Sequence, residues 1–206
     1  MKNYLALDTS SGIRVLLSVD GKNYDYTEDD GKSASAVLLP VVDKLLSKAG
    51  VQLKDLDAIA VVVGPGSFTG IRIAVNTARM FAYTTQIPLI KVDNLEVCAS
   101  GIKGECNSVV YGWGKNFYTA KYVNSIPISQ AVAQTYEFVN GLENIVCDKK
   151  SKKFLPTAIE SGSAQDLRVC VERKLKNREF TKAEEVIPFY IASSQAENDL
   201  AKKEGK

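Results

Sequence analysis

The stretch that decides the fold class is Ala58-Ile59-Ala60-Val61-Val62-Val63-Gly64-Pro65-Gly66-Ser67-Phe68-Thr69-Gly70-Ile71-Arg72. Residues 58–63 are continuously apolar and mostly β-branched, which predicts a strand that is covered on both faces. A glycine-rich turn follows at 64–70, and a helix is predicted from about Ile71 to Thr85. A buried strand that leads through a glycine-rich turn into a helix is typical of α/β domains.

The residues before this stretch predict an antiparallel meander of three strands, at 4–8, 13–19 and 23–27, with Asp20-Gly21 as a hairpin turn. A helix is predicted at 33–49 with Gly50 as its C-terminal cap, and Pro40 is expected to kink or divide it. A further strand at 88–92 and a short helix at 95–100 complete the order β-β-β-α-β-α-β-α. This order predicts one mixed sheet with helices packed on it.

The second half of the chain is a weaker echo of the first. It predicts a hairpin of strands 108–113 and 117–124 around Gly114-Lys115, a weak helix at 136–140, a strand at 145–147 and a helix at 163–176. Residues 186–191 are predicted to be extended around Pro188, and residues 193–206 to form a polar surface helix. A boundary near 101–107 divides the chain into an N-terminal lobe, 1–103, and a reduced C-terminal lobe, 104–206.

Composition excludes several classes of active site. The 206 residues include 26 Lys and Arg, 24 Asp and Glu, and no His, so the net charge is +2. The absence of imidazole excludes Ser-His-Asp and Cys-His nucleophile pairs and zinc sites that use histidine. The four cysteines Cys98, Cys106, Cys147 and Cys170 stand singly, which favours buried reduced thiols. No apolar run approaches the roughly 20 residues that span a bilayer, and the first residues lack a signal peptide, so a cytoplasmic protein is expected.

Two polar segments are candidates for a nucleotide or phosphate site. Asp8, Thr9 and Ser10 end the first strand at a tight turn, where a carboxylate and two hydroxyls can hold a phosphate or hydrated Mg²⁺. The alternative, which the residues alone favour, is that Asp8 caps the turn. Gly64, Gly66, Ser67, Thr69 and Gly70 precede a helix, where backbone amides favour an anion. This segment lacks the Walker lysine and the dinucleotide-binding glycine spacing, and a tight strand-to-helix connection explains it equally well.

The helix at 71–85 is apolar nearly all round. Ile71, Ala74, Val75, Ala78, Phe81 and Ala82 form one apolar face, and Arg72, Asn76, Arg79 and Tyr83 form a narrow polar stripe. A helix of this kind is usually buried on two sides. Either a partner subunit or the second lobe is expected to cover the second side.

Four segments, Leu5 to Ser10, Leu38-Leu39-Pro40, Gly64 to Ile73 and Pro188 to Ile191, resemble the TsaB (YeaZ) family of glycoprotease-like proteins in order and spacing. The resemblance implies the actin-like ATPase fold, an α/β fold of two ribonuclease H-like lobes with mixed sheets flanked by helices. It implies a non-catalytic scaffold and activator of TsaD, acting with the ATPase TsaE. That machinery forms N6-threonylcarbamoyladenosine at position 37 of tRNA.

The resemblance also implies a silent nucleotide cleft, with no tightly bound cofactor and no metal. The family fold clamps phosphates between two hairpins, and here only the first hairpin, with Asp8, offers a carboxylate. The second reads Tyr111-Gly112-Trp113 where the family commonly has Asp-Ala-Arg. Ala34-Ser35-Ala36 replaces the common His-Ser-Glu, and Ala192 a common Arg. The resemblance allows ATP or ADP at the partner interface.

The interface with TsaD is predicted on the helices at 33–49 and 71–85. Its residues are Val37, Val41, Leu45, Arg72, Val75, Asn76, Arg79, Phe81 and Tyr83. The same surface is expected to form a homodimer when TsaD is absent. TsaE is expected to join the complex, tRNA only indirectly, and no membrane partner is expected.

Two other functions compete with the scaffold. One is a small phosphotransferase or nucleotide-binding enzyme of the same fold, with Asp8 on Mg²⁺ and the loop 64–70 on phosphate. The other is a direct tRNA binder, which the near-neutral charge disfavours. The basic run of Lys149, Lys150, Lys152 and Lys153 is expected to be a solvated loop, or a minor contact to an anionic partner.

Overall fold

Two mixed β-sheets form the framework of the chain. The computed structural model describes residues 3–29, 33–112 and 116–191. The first sheet contains β1 (Tyr4–Asp8), β2 (Ile13–Val19), β3 (Lys22–Glu28), β4 (Ala58–Val62) and β5 (Leu89–Val92), in the order β3-β2-β1-β4-β5. The second contains β6 (Glu105–Tyr111), β7 (Phe117–Val123), β8 (Ile126–Pro127), β9 (Val132–Gln134), β10 (Ile145–Cys147) and β11 (Ile159–Glu160), in the order β11-β10-β6-β7-β8, with β9 also paired to β7.

The two sheets repeat one topology. In each, a hairpin pairs antiparallel on one side of the first strand, and two later strands add in parallel on its other side. β1, β4 and β5 of the first sheet therefore correspond to β6, β10 and β11 of the second. This repeat confirms the mixed sheets that the strand order predicted.

In the described part of the chain, six helices pack on these sheets: α1 (Ala34–Ala49), α2 (Phe68–Thr85), α3 (Asn94–Cys98), α4 (Tyr136–Asn140), α5 (Lys149–Lys152) and α6 (Ala164–Asn177). Short 3₁₀ turns lie at Leu53–Asp55 and Ala183–Glu185. Within the described ranges, every helix is too short or too polar to cross a bilayer.

Alternate residues of the first sheet face two different helical layers. Leu5 and Leu7 on β1 pack toward α1 and α2, and Tyr4 and Ala6 pack toward α6. β4 lies between these layers and is fully buried, as its continuous apolar run predicted. The helix α6 thus lies on the first sheet although it follows the second in sequence. The boundary at residue 103 stays a prediction.

Several predicted elements differ in detail from the structure. α1 is one helix through Pro40 and ends at Gly50, whose φ of 71° is left-handed. α2 begins at Phe68 rather than near Ile71, because the Ser67 hydroxyl caps it by accepting from the Gly70 amide. The basic run at 149–152 is a helical turn and not a loop, because Asp148 caps it. The turn at 113–115 and the predicted helix at 193–206, like Ala192, lie outside the described residues.

Candidate functional site

The Asp8 carboxylate is engaged by neighbours in its own turn. Its Oδ1 accepts hydrogen bonds from the amide and the hydroxyl of Ser10, at 2.8 and 2.7 Å. Its Oδ2 forms an ion pair with Arg14, and both side chains are buried. Burial alone would lower the pKa of Arg14, but the charge of Asp8 and its other acidic neighbours outweighs burial, so the pKa is raised. These contacts match the capping interpretation of Asp8.

The glycine-rich loop is packed against the Asp8 turn rather than left open for a ligand. A Cβ added at Gly66 would lie 2.5 Å from the Ser10 carbonyl oxygen, and one at Gly70 would lie 1.9 Å from that of Thr9. The φ of Gly66 is 156°. Close approach of two backbones therefore requires these glycines, which favours the tight-connection interpretation.

Hydrogen bonds fix this packing from three segments of the chain. The Thr9 hydroxyl donates to the Gly70 carbonyl at 2.5 Å, and the Ser67 amide donates to the Ser10 carbonyl at 2.7 Å. The Asn94 amide donates to the Gly64 carbonyl at 2.7 Å. The Phe189 amide donates to the carbonyl of Val63, just before the loop, at 2.8 Å. The structure thus brings the Asp8 turn and the glycine-rich loop together and joins them by hydrogen bonds, while Thr69 is exposed.

A cleft lies between the two sheets beside Ser11 and Arg14, and acidic residues outnumber basic ones in its lining. A cavity of about 390 Å³ lies there, and it is lined by the charged residues Arg14, Asp29, Asp148, Lys149, Glu160 and Asp166 together with several Ser, Thr and small residues. Four carboxylates face two cations, which disfavours a polyphosphate. Two contacts also bridge the cleft, from the Ser11 hydroxyl to Asp148 Oδ2 at 2.5 Å and from Lys149 Nζ to Asp29 at 2.6 Å.

Sequence reasoning missed Asp148 as the second lobe's carboxylate. A second carboxylate would be expected in the hairpin after β6, by analogy with Asp8 in the first hairpin. Asp148 instead follows β10, the counterpart of β4. Its Oδ1 accepts from the amide and the hydroxyl of Ser151, so this carboxylate is also held by the chain itself. Within the described ranges, no group of three or more Cys, Asp or Glu residues is arranged to hold a metal ion.

The predicted partner residues fall into two groups by burial. Val41, Leu45 and Val75 lie in the core between α1, α2 and the first sheet, so their assignment to a partner interface is wrong. Helical periodicity identifies an apolar face, but not whether the chain's own sheet covers it. Of the other predicted residues, Arg72, Asn76 and Tyr83 are exposed, and Val37, Arg79 and Phe81 are half-buried.

The exposed part of the helix pair carries large apolar side chains. Leu39 of α1 is 46% exposed, and Met80 and Tyr83 of α2 are 47% and 52% exposed. Phe68, Arg72, Asn76, Met80 and Tyr83 fall on one side of α2 by helical periodicity, and Leu39 is exposed on α1, which packs against α2. We call these six residues the α1–α2 surface. Contiguous exposed apolar groups of this kind mark interaction sites in monomeric proteins.

A stacked cluster closes one end of the α1–α2 surface. The rings of Phe68 and Tyr190 stack with their centroids 4.7 Å apart. The Arg72 guanidinium lies 3.8 Å from the centroid of Phe68, and its Nε donates to the Tyr190 hydroxyl at 2.8 Å. The Pro188 to Ile191 segment is thereby joined to the start of α2. The sequence places Arg72 on the polar stripe but does not indicate its two aromatic partners. One of them, Tyr190, lies 118 residues further along the chain.

Comparison with known proteins gives one consistent group of relatives. The family model of tRNA N6-adenosine threonylcarbamoyltransferase (TsaD) matches residues 28–126. The tRNA threonylcarbamoyladenosine biosynthesis protein TsaB of Haemophilus influenzae is 35% identical over 96 residues, which are 46% of this chain and 41% of that protein. TsaB of Bacillus subtilis is 38% identical over 99 residues, 47% of this chain and 43% of that protein.

The matched segment therefore spans less than half the length of these curated relatives. A solved structure extends the likeness along the chain. YeaZ from Pseudomonas aeruginosa is 25% identical and superposes with a TM-score of 0.77, covering 92% of this chain and 100% of that one. These likenesses confirm the resemblance to the TsaB (YeaZ) proteins and the actin-like ATPase fold that the motifs predicted.

Proposed function

We propose that this chain, a relative of the TsaB (YeaZ) proteins, is a non-catalytic subunit of the cytoplasmic machinery that forms N6-threonylcarbamoyladenosine at position 37 of tRNA. It binds a TsaD partner and supports the transfer step that TsaD performs. TsaE joins the same complex, and the chain forms a homodimer when TsaD is absent. The observation that carries the proposal is the α1–α2 surface, which lies within the segment that resembles the TsaD family.

The character of this surface supports a protein partner. Aromatic residues, methionine and arginine are enriched where proteins bind each other, and Phe68, Tyr83, Met80 and Arg72 supply each type. The stacked cluster of Phe68, Arg72 and Tyr190 holds one edge of the surface in a fixed shape. A preformed surface loses less side-chain entropy on binding.

The state of the two candidate phosphate segments supports a silent role. Asp8 is paired with Arg14, and the backbone of Thr9 and Ser10 occupies the space beside Gly70 and Gly66 of the loop. A phosphotransferase needs these same groups free for Mg²⁺ and phosphate. The proposal therefore assigns catalysis to TsaD, and any ATP or ADP to the interface between the two subunits.

Light scattering coupled to size-exclusion chromatography tests the proposal. The chain is measured alone and mixed with a bacterial TsaD. The expected result is a dimer alone that exchanges into a complex with TsaD. A monomer that is indifferent to TsaD contradicts the proposal.

A matched pair of variants locates the interface. Tyr83→Glu places a charge on the α1–α2 surface, and Ile126→Glu places one on the equally exposed β8, where Ile126 is 61% exposed. Tyr83→Glu is expected to abolish the complex and Ile126→Glu to preserve it. Equal behaviour of the two variants would refute the assignment of the surface.

A further inference from the structure

A second cluster of aromatic rings lies on the C-terminal lobe, away from the α1–α2 surface. Tyr111 stacks on Phe154 with ring centroids 4.5 Å apart and planes at 11°. Phe117 contacts both rings edge-on and lies 6.1 Å from Tyr136. Phe117 is buried, whereas Phe154 is 42% and Tyr136 40% exposed. The cluster therefore has a buried anchor and two rings that present area to solvent.

Lysines lie next to this cluster, because α5 and Lys153 come immediately before Phe154 in the chain. Lys150 Nζ lies 5.0 Å from the centroid of the Tyr111 ring, and Lys153 is exposed beside Phe154 in the chain. The other two lysines of the run hold the segment in place. Lys149 pairs with Asp29 across the cleft, and Lys152 donates to the carbonyls of Pro156 and Ala158.

The segment is also fixed to the second sheet. The Tyr111 amide donates to the Ser151 hydroxyl at 2.7 Å, and Leu155, which follows Phe154, is fully buried in one core cluster with Val109 and Phe117. Tyr111 and the lysine run are far apart in sequence, and each is unexplained by the scaffold function. The tertiary structure joins them into one surface, which we call the Tyr111–Phe154 platform: Tyr111, Tyr136, Lys150, Lys153 and Phe154.

We propose that the Tyr111–Phe154 platform binds single-stranded RNA. Exposed aromatic rings accept stacked bases, and adjacent lysines neutralise the phosphates between them. The ring of Phe154 is the stacking surface, backed by Tyr111, and Lys150 and Lys153 are the phosphate contacts. Because Phe154 and Tyr136 are both partly exposed, a single strand can pass across their rings.

The stacking chemistry stands on the platform alone, and its assignment to tRNA rests on the proposed function. The platform gives the lysine run a direct contact with RNA. The sequence alone favoured a solvated loop and an indirect link to tRNA. The anticodon region supplies unpaired bases of the kind that aromatic side chains recognise in RNA.

Fluorescence anisotropy on the full chain tests the platform. The probe is a short fluorescein-labelled single-stranded RNA, compared with the same strand paired to its complement. Single-stranded RNA is expected to bind more tightly than the duplex. Phe154→Leu, which keeps an apolar side chain but removes the ring, is expected to weaken binding about five-fold or more.

Lys150→Ala is expected to weaken binding and to reduce the slope of log K against log salt by about 0.7. Lys48→Ala is its matched control, because Lys48 Nζ also lies over a tyrosine, 5.9 Å from the Tyr24 ring on the other lobe. Lys48→Ala is expected to leave both affinity and slope unchanged. Equal effects of the two lysine variants would show that RNA binding depends on non-specific charge and not on the platform, and would overturn the proposal.

Two further outcomes also decide against the platform. Equal affinity for single-stranded RNA and duplex excludes stacking, and displacement of the RNA by equimolar AMP or ATP assigns the platform to free nucleotides. Complex formation with TsaD is measured on the same variants and is expected to be intact. A failure of the TsaD complex with RNA binding retained would refute the proposed function and leave the platform standing.

Discussion

The carbonyl oxygen of Thr9 lies only 1.9 Å from the point that a Cβ at Gly70 would occupy. The backbone of the first hairpin and the first turn of α2 are thus in direct contact, and the Thr9 hydroxyl also donates to the Gly70 carbonyl. The conspicuous glycine motif of this chain is explained by this contact between two backbones. Its function is to let α2 start against β1.

Gly70→Ala is expected to lower the free energy of unfolding by about 3 kcal/mol or more, because the added methyl must displace backbone. Urea unfolding followed by circular dichroism measures the change. Gly141→Ala is the control, since its Cβ would meet nothing nearer than 3.5 Å. It is expected to change stability by less than about 1 kcal/mol. Comparable losses in both variants would contradict the contact.

Asp8→Ala is expected to cost about 3 to 5 kcal/mol of stability, because it leaves the buried Arg14 without its ion-pair partner. Chemical denaturation of the variant measures the loss. Glu105→Ala breaks an exposed pair with Lys121 and is expected to cost less than about 1 kcal/mol. An Asp8→Ala protein of normal stability would favour the phosphotransferase alternative, in which Asp8 is held ready for Mg²⁺.

Val75→Glu and Tyr83→Glu are expected to separate folding from binding on α2. Val75 is fully buried, so a carboxylate there is expected to cost about 4 kcal/mol or more and to unfold much of the protein. Tyr83 is 52% exposed, and Tyr83→Glu is expected to change stability by only about 0.5 kcal/mol. Differential scanning calorimetry on both variants decides, and a stable Val75→Glu protein would contradict the packing of α2 on the sheet.

Asp93 is expected to make stability depend on pH. Burial raises the pKa of Asp93, the cap of α3, to about 7. The folded state then keeps a proton that the unfolded chain has released, so this contribution to stability is complete below about pH 4 and is lost as the pH rises through 7. Asp93→Asn keeps a capping oxygen and is expected to flatten the profile between pH 4 and 7. An unchanged profile of unfolding free energy against pH would exclude Asp93 as its source.

Asp148→Ala is expected to loosen the cleft between the lobes. The carboxylate accepts from the Ser11 hydroxyl across the cleft and from Ser151 on its own lobe. Cys98 lies under this contact, since a Cβ on the neighbouring Gly162 would be 2.9 Å from its Sγ and 3.5 Å from Asp148 Cβ. In the Asp148→Ala protein, a thiol reagent is expected to modify Cys98 about ten-fold faster or more, and peptide mass identifies the modified cysteine. Cys170, buried between α6 and the first sheet, serves as the internal reference and is expected to be unaffected.

Local signals predicted most of the secondary structure. The apolar run of β4, the Asp20-Gly21 turn and the Gly50 cap of α1 are each readable within a few residues, because strand burial, turns and caps depend on near neighbours. The start of α2 was placed three residues late, because a glycine in the first turn conceals the cap at Ser67. The resemblance carried by the Gly64 to Ile73 motif then predicted the fold.

Composition, periodicity and a local motif predicted the order of the elements as far as α3, the two lobes and the exclusion of histidine chemistry, because each of these can be read from residue counts or from near neighbours. The sequence did not predict β8, β9, α5 or β11. The apolar residues of α1 and α2 that face the sheet became known from the packing of the folded chain. The tertiary structure also decided that Asp8 pairs with Arg14, that Asp148 bridges the cleft, and that Tyr111 stacks on Phe154. Each of these depends on contacts between distant segments, and such contacts are fixed by how the sheets and helices pack and not by any spacing along the chain.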